Sequence, residues 1–226
     1  MTPTMGTVRL KPARWFYVVY RLGFAALVFA ALGTQIESLL DLDVFRPANF
    51  FSFFTVQANL IAASVFLYGA YQSFARDRTA PGIDMLRGAS TAYMALTGIV
   101  FALLLQGLQE ELQTHVAWVD FVLHKAMPVA VVVDWLLDPP DHRIEFRRAL
   151  IWLTFPLLWL AYTLVRGEIA GWSPYPFVDA ATHGYDHVAS SSVAIFLGFL
   201  ATVWITCVTG NLLRSRRHQA ELPRGA

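Results

Sequence analysis

The chain holds one cysteine, few charges, and neither an internal repeat nor a low-complexity stretch in its 226 residues. Cys207, alone in an apolar run, excludes a disulfide framework and a cysteine-built metal cage. Charged residues are 15% of the chain, against about 25% in soluble domains. The net charge is only +1, and the basic residues fall in short clusters rather than along one face. That pattern argues against a nucleic-acid partner. Metal-ligand spacing is nearly absent too. His183 and His187 stand four apart beside Asp179 and Asp186, but Gly184 interrupts them and the stretch suits a polar loop, so neither metal nor cofactor is expected.

What the chain has instead is apolar length. Hydrophobic residues make up 56% of it and the mean hydropathy is +0.49, values of a membrane protein. Apolar windows fall at about 15–33, 50–72, 89–108, 117–137, 149–166 and 190–212, each near the roughly 20 residues needed to cross a bilayer. The expectation is one all-α domain, a polytopic membrane protein of six transmembrane helices over residues 1–226. No small-residue cleavage site follows the first apolar run, so that run is expected to stay as a span.

Loop charge orients the spans. Arg9, Lys11 and Arg14 precede the first; Arg76, Arg78 and Arg87 fall in the second connection; Arg143, Arg147 and Arg148 in the fourth; Arg214, Arg216, Arg217 and Arg224 in the tail. The other connections carry Glu37, Asp41, Asp43, Glu110, Glu111, Glu168, Asp179 and Asp186, with Arg46 their one clear base. By the positive-inside rule both termini are cytoplasmic. Alanine- and arginine-rich tails suggest a bacterial plasma membrane, with membrane lipids as the immediate partners.

The most informative stretch is AWVDFVLHKAMPVAVVVDWLL, 117–137, which carries Asp120, His124, Lys125 and Asp134. An ionisable side chain at membrane depth costs roughly 2.5–3.5 kcal/mol on insertion scales and normally marks a functional path. At helical spacing Asp120, His124 and Asp134 share a face with Met127 and Val131, while Lys125 points away and can snorkel. Asp134 is expected to pair with Arg21 of the first helix at similar depth. The second helix opens on another polar set, Ser52, Thr55 and Asn59. Counted at 1.5 Å per residue, Thr55 lies roughly 8 Å and His124 roughly 10 Å inside the same membrane face. A hydroxyl and an imidazole at one level suit a nucleophile and its base, with Asp120 orienting the imidazole. The bland readings stand beside this: a threonine bonded to its own helix, and a histidine in an ordinary interhelical hydrogen bond. Arg166 suits either an interface anchor or a carboxylate clamp. The long connection 167–191, with Pro174, Pro176 and four aromatic residues, has the character of a lid.

FFTVQANL around Thr55, FVLHKAMPVAVVVDWLL around His124, FPLLWLAYTLVRG in the fifth span, and WSPYPFVD followed by GY form an ordered set. Together they resemble the androgen-induced-gene family of integral membrane proteins, including its bacterial six-helix relatives. The resemblance implies a threonine hydrolase of fatty acid esters of hydroxy fatty acids, with the essential threonine on Thr55 and the histidine on His124; Ser52, three residues earlier, is the other candidate for the nucleophile. On that basis an amphipathic lipid ester is the expected substrate. Asn59, Asn49 or Ser52 would bond the oxyanion, and Arg166 or Arg46 would hold a substrate carboxylate. The competing expectation is a proton-coupled transporter or binding protein that uses the polar face of the fourth helix.

Overall fold

The structure, a computed structural model, describes residues 12–75, 80–108 and 116–221. Arg9, Lys11, Arg76, Arg78, Glu110, Glu111 and Arg224, used above to orient the spans, lie outside the described residues. Within them the chain is all-helical, with no strand. Six long helices follow one another: α1 (Pro12–Asp41), α2 (Phe54–Ala75), α3 (Pro81–Leu105), α4 (117–137), α5 (Phe146–Ala170) and α6 (Tyr185–Glu221). Among the described residues, α1, α2, α3, α5 and α6 are long and apolar enough to cross a membrane. Helix α4 is as long, but it carries three charged residues, Asp120, Lys125 and Asp134.

Proline and glycine set the boundaries. Pro81 opens α3, where its missing N–H costs nothing, and Asp84 in that first turn complements the helix dipole. Pro139 and Pro140 stop α4, and Gly171 at φ 59° caps α5 through its N–H to the Gly167 carbonyl. Inside α4, Pro128 has no N–H to give the His124 carbonyl. The helix absorbs the break as a π-turn over Val122–Ala126, and α3 carries a second π-turn at Phe101–Leu105.

Contacts between distant residues show that successive helices alternate in direction. Arg21 early in α1, Gly69 and Ser73 late in α2, Arg87 early in α3 and Asp134 late in α4 meet at one end of the bundle, the near end. Thr55 early in α2, Phe101 late in α3 and His124 early in α4 lie toward the far end. Helix α3 is the most buried of the five apolar helices and α5 the least. The core between them is aromatic and small by turns. Trp135 lies against Gly210 of α6, where a Cβ would come within 2.5 Å of the ring.

The near end is tied by charge. Asp134 accepts Arg21 Nε at 2.7 Å and Arg21 Nη2 at 3.1 Å, the pair expected from the sequence. It also accepts Arg87 Nη2 at 3.1 Å, and that residue corrects the sequence reading. Arg87 is a buried member of α3, not a loop residue, because its guanidinium is needed against the second oxygen of Asp134. Arg217 joins through Asp138 and Asp141, so part of the expected tail belongs to α6 and packs on the α4–α5 connection.

Candidate functional site

Thr55 sits in the first turn of α2, where backbone N–H groups lack intrahelical acceptors. Its N–H donates to the Tyr175 hydroxyl at 3.2 Å, and its Oγ1 lies 3.3 Å from the same oxygen. This departs from four other helical hydroxyls, although Ser90 and Thr163 also make no bond to their own helix among the described residues. Ser64, Ser73, Thr91 and Thr97 each donate to the carbonyl four residues back, the usual fate of such groups. For Thr55 that carbonyl belongs to Phe51 and is taken by Gln57 Nε2 at 2.7 Å. The Thr55 side chain is buried and its hydroxyl is turned toward a phenol rather than its own helix.

Tyr175 comes from the α5–α6 connection, where Pro174 and Pro176 hold the backbone extended. It is buried, edge-on to Phe53 and stacked on Phe177 with centroids 5.1 Å apart. Trp172 packs edge-on against Phe53 as well, and Arg166 lies 4.8 Å above the Trp172 ring. The expected lid is therefore seated by aromatic contact. Burial pushes the Tyr175 hydroxyl up from its ordinary value, against the hydrogen bonds to Thr55. It stays a neutral phenol and a proton donor at physiological pH.

His124 lies in the π-turn of α4 with its Nδ1 2.9 Å from Asp120 Oδ1, both side chains buried. An ionised Asp120 accepts the Nδ1 proton and leaves Nε2 as the basic nitrogen. The ring stacks on Phe101 with centroids 4.3 Å apart and planes 12° apart, so the two π-turns meet at this imidazole. Such turns recur at functional sites, where they turn a side chain out of the regular helical ladder.

Asn59 joins the two halves. Its amide donates to the Thr55 carbonyl at 2.9 Å and to the Leu123 carbonyl at 3.1 Å, which fixes α2 and α4 at one level. Both amide hydrogens are thus used, and the expected role of Asn59 as an oxyanion donor is corrected to that of a tie between helices. Its Oδ1 is buried without a partner among the described residues. Ser52 is committed likewise: its Oγ donates to the Ala48 carbonyl and lies 2.9 Å from the Tyr162 hydroxyl. Asn49 Oδ1 accepts Arg166 Nη2 at 2.7 Å, while Arg166 Nη1 is buried with no partner among the described residues. Arg46 is exposed.

No hydrogen bond joins Thr55 to His124 among the described residues. The two border different spaces, separated by the π-turn of α3. Thr55 lines an apolar cavity with Leu96, Val100, Leu105, Trp159 and Phe199, whereas His124 lines a trough between α3 and α4. The polar face of α4 is also interrupted, because Met127 and Val131 are packed dry between His124 and Asp134. His183 and His187 have ring centroids 5.2 Å apart, and no group of three metal-ligating residues gathers among the described residues. Tyr175 and Phe101 were not singled out from the sequence. The one hint was Tyr175 between two prolines, a placement that a membrane-interface tyrosine shares.

The chain matches no known family profile, no curated protein and no solved structure.

Proposed function

We propose that this protein is a membrane-embedded hydrolase of amphipathic lipid esters, with Thr55 as nucleophile and the His124–Asp120 pair as its base. The near end would be cytoplasmic, all six helices would span, and the membrane would be a bacterial plasma membrane. One observation carries the reading: Thr55 is a helical hydroxyl released from its own backbone and turned toward a buried phenol in an apolar cavity. A nucleophile needs that freedom, and Ser52, whose proton goes to the Ala48 carbonyl, lacks it.

In this reading the ester carbonyl enters the cavity beside Tyr175, whose O–H replaces Asn59 as the donor to the developing oxyanion. Thr55 Oγ1 attacks and passes its proton to His124 Nε2. The tetrahedral intermediate expels the alcohol, which takes that proton, and an acyl-threonine remains. Water, deprotonated by the same imidazole, then releases the acid and restores Thr55. His124 comes into reach as substrate parts Phe101 from its ring; catalytic hydrogen bonds in unliganded sites are commonly long or absent. The resemblance to the androgen-induced-gene family supports the same pairing of Thr55 with His124.

The test is hydrolysis of a fatty acid ester of a hydroxy fatty acid by the purified full chain in detergent. Thr55→Ala and His124→Ala are expected to lose turnover to background, and Tyr175→Phe to lose about 10²–10³ in kcat. Ser52→Ala should keep it. Full activity in Thr55→Ala, with melting unchanged, would overturn the proposal.

A further inference from the structure

The trough on the His124 side of α3 has a chemistry of its own. Its floor is Ala95, Gly98 and Ala102 of α3, and its far wall is Pro128, Val129 and Val133 of α4. Gly98 permits the closeness: a Cβ there would stand 3.1 Å from the Pro128 ring. The trough encloses about 600 Å³ and is apolar along most of its length. Only one end is polar, where Gln106, His124 and Lys125 converge. Exposed Ile99 and Val129 on its rims give it the character of a lipid-facing slot rather than an interior void.

Lys125 is the anomaly. It stands eight residues into α4, about 12 Å below the helix start at 1.5 Å per residue. Its side chain is exposed on the outside of the bundle. It lies 5.6 Å over the Phe101 ring, at the level of the His124 imidazole stacked on that same ring. Among the described residues no carboxylate lies within ion-pair distance of it. A cation held at this depth on a lipid-facing side is costly unless an anion accompanies it. A long-chain carboxylate can follow its own chain down.

The geometry points to a binding site for a long-chain fatty acid, with its carboxylate on Lys125 and Gln106 and its chain along the trough toward Val133. Residues 124 to 133 span about 14 Å of helix, the reach of a substantial part of one extended acyl chain. The site shares His124 with the proposed hydrolase but lies across the π-turn of α3 from the Thr55 cavity, and it requires no reaction.

The experiment uses the full chain in phosphatidylcholine nanodiscs with a diazirine-bearing fatty acid and, in parallel, its neutral methyl ester. After photolysis, the acid is expected to label peptides covering residues 95–106 and 124–133. The methyl ester should label them about tenfold less or weaker. Lys125→Met should reduce labelling by the acid to the level of the ester, Lys125→Arg should restore it, and Val129→Trp, which fills the open rim, should block both. Thr55→Ala should label as the native chain does, so failure of the hydrolase reading leaves this result untouched. Equal labelling by acid and ester, or acid label concentrated on the peptide bearing Ile195 and Phe199, would overturn the site. The acid-to-ester ratio is measured on the native chain, so the outcome does not depend on how well Lys125→Met folds.

Discussion

Replacing Asp134 with leucine tests how the near end is held. Asp134 is buried and accepts three hydrogen bonds, from Arg21 Nε and Nη2 and from Arg87 Nη2, all at 3.1 Å or less. Arg21 is otherwise saturated: its remaining N–H groups go to the Gly69 carbonyl, Ser73 Oγ and Asp138. Removing the carboxylate leaves two buried guanidinium groups short of partners. Breaking a buried pair from one side typically costs about 3–5 kcal/mol, most of it from the charge left behind. Equilibrium unfolding in mixed detergent micelles measures this loss directly, and Arg21→Met/Asp134→Leu completes a double-mutant cycle. The double variant should be more stable than the sum of the single losses by more than about 1 kcal/mol, because residues in one network couple. If Asp134→Leu costs under about 1 kcal/mol, or the two losses simply add, the network does not hold the bundle as argued.

Two further outcomes follow from the same packing. Burial alone would raise the Asp138 carboxyl, but Arg87 and Arg21, with Arg217 beyond them, hold it below its ordinary 3.8. A depressed carboxyl stabilises the fold above its unfolded value and loses that contribution as pH falls through the folded one. The melting temperature in detergent should therefore hold from pH 7 to about 5 and drop below about 4, with Asp138→Asn showing a smaller drop. At Gly210 a Cβ would meet the Trp135 ring at 2.5 Å, whereas nothing lies within 4 Å of one at Gly198 in the same helix. Gly210→Ala should cost about 1–3 kcal/mol from overpacking, and Gly198→Ala should be neutral or stabilising by up to about 1 kcal/mol; equal effects in the unfolding assay would refute this packing.

Apolar length made the helices legible, and a pairwise charge argument made Arg21–Asp134 legible, because both depend on residues near one another along a helix or at matched depth. The boundaries were less so. Helix α1 runs to Asp41 rather than 33 because Ile36 and Leu39 still pack inward, and α6 starts at Tyr185 because a single glycine turn suffices before it. Arg87 lies six residues past the start of its helix, next to a basic connection, and only the second oxygen of Asp134 reveals why it is buried. Tyr175 and Thr55 are 120 residues apart, and their contact depends on how a proline-kinked loop folds back over the bundle. No periodicity carries that information. Nor does sequence tell which hydroxyl of Ser52 and Thr55 is spent on its own helix, since that turns on where a single turn ends.

The two polar layers differ in how many of their hydrogen-bonding groups are closed. At the near end the arginine donors and the carboxylates of Asp134 and Asp138 answer one another, and Arg21 uses every N–H it has. Toward the far end the accounting is left open: Asn59 Oδ1, Thr163 Oγ1, Gln35 Oε1 and Arg166 Nη1 are buried without partners among the described residues. Buried polar groups are almost always satisfied, and each exception calls for a reason. The near layer is not wholly closed either, for Asp84 Oδ1 and Ser90 Oγ in the first turns of α3 are buried without partners among the described residues. The groups left open toward the far end lie in the same half of the bundle as the Thr55 hydroxyl and the His124–Asp120 pair that the proposed hydrolase uses. On the proposed hydrolase reading, the chemistry belongs to the half of the bundle where α2 and α4 begin.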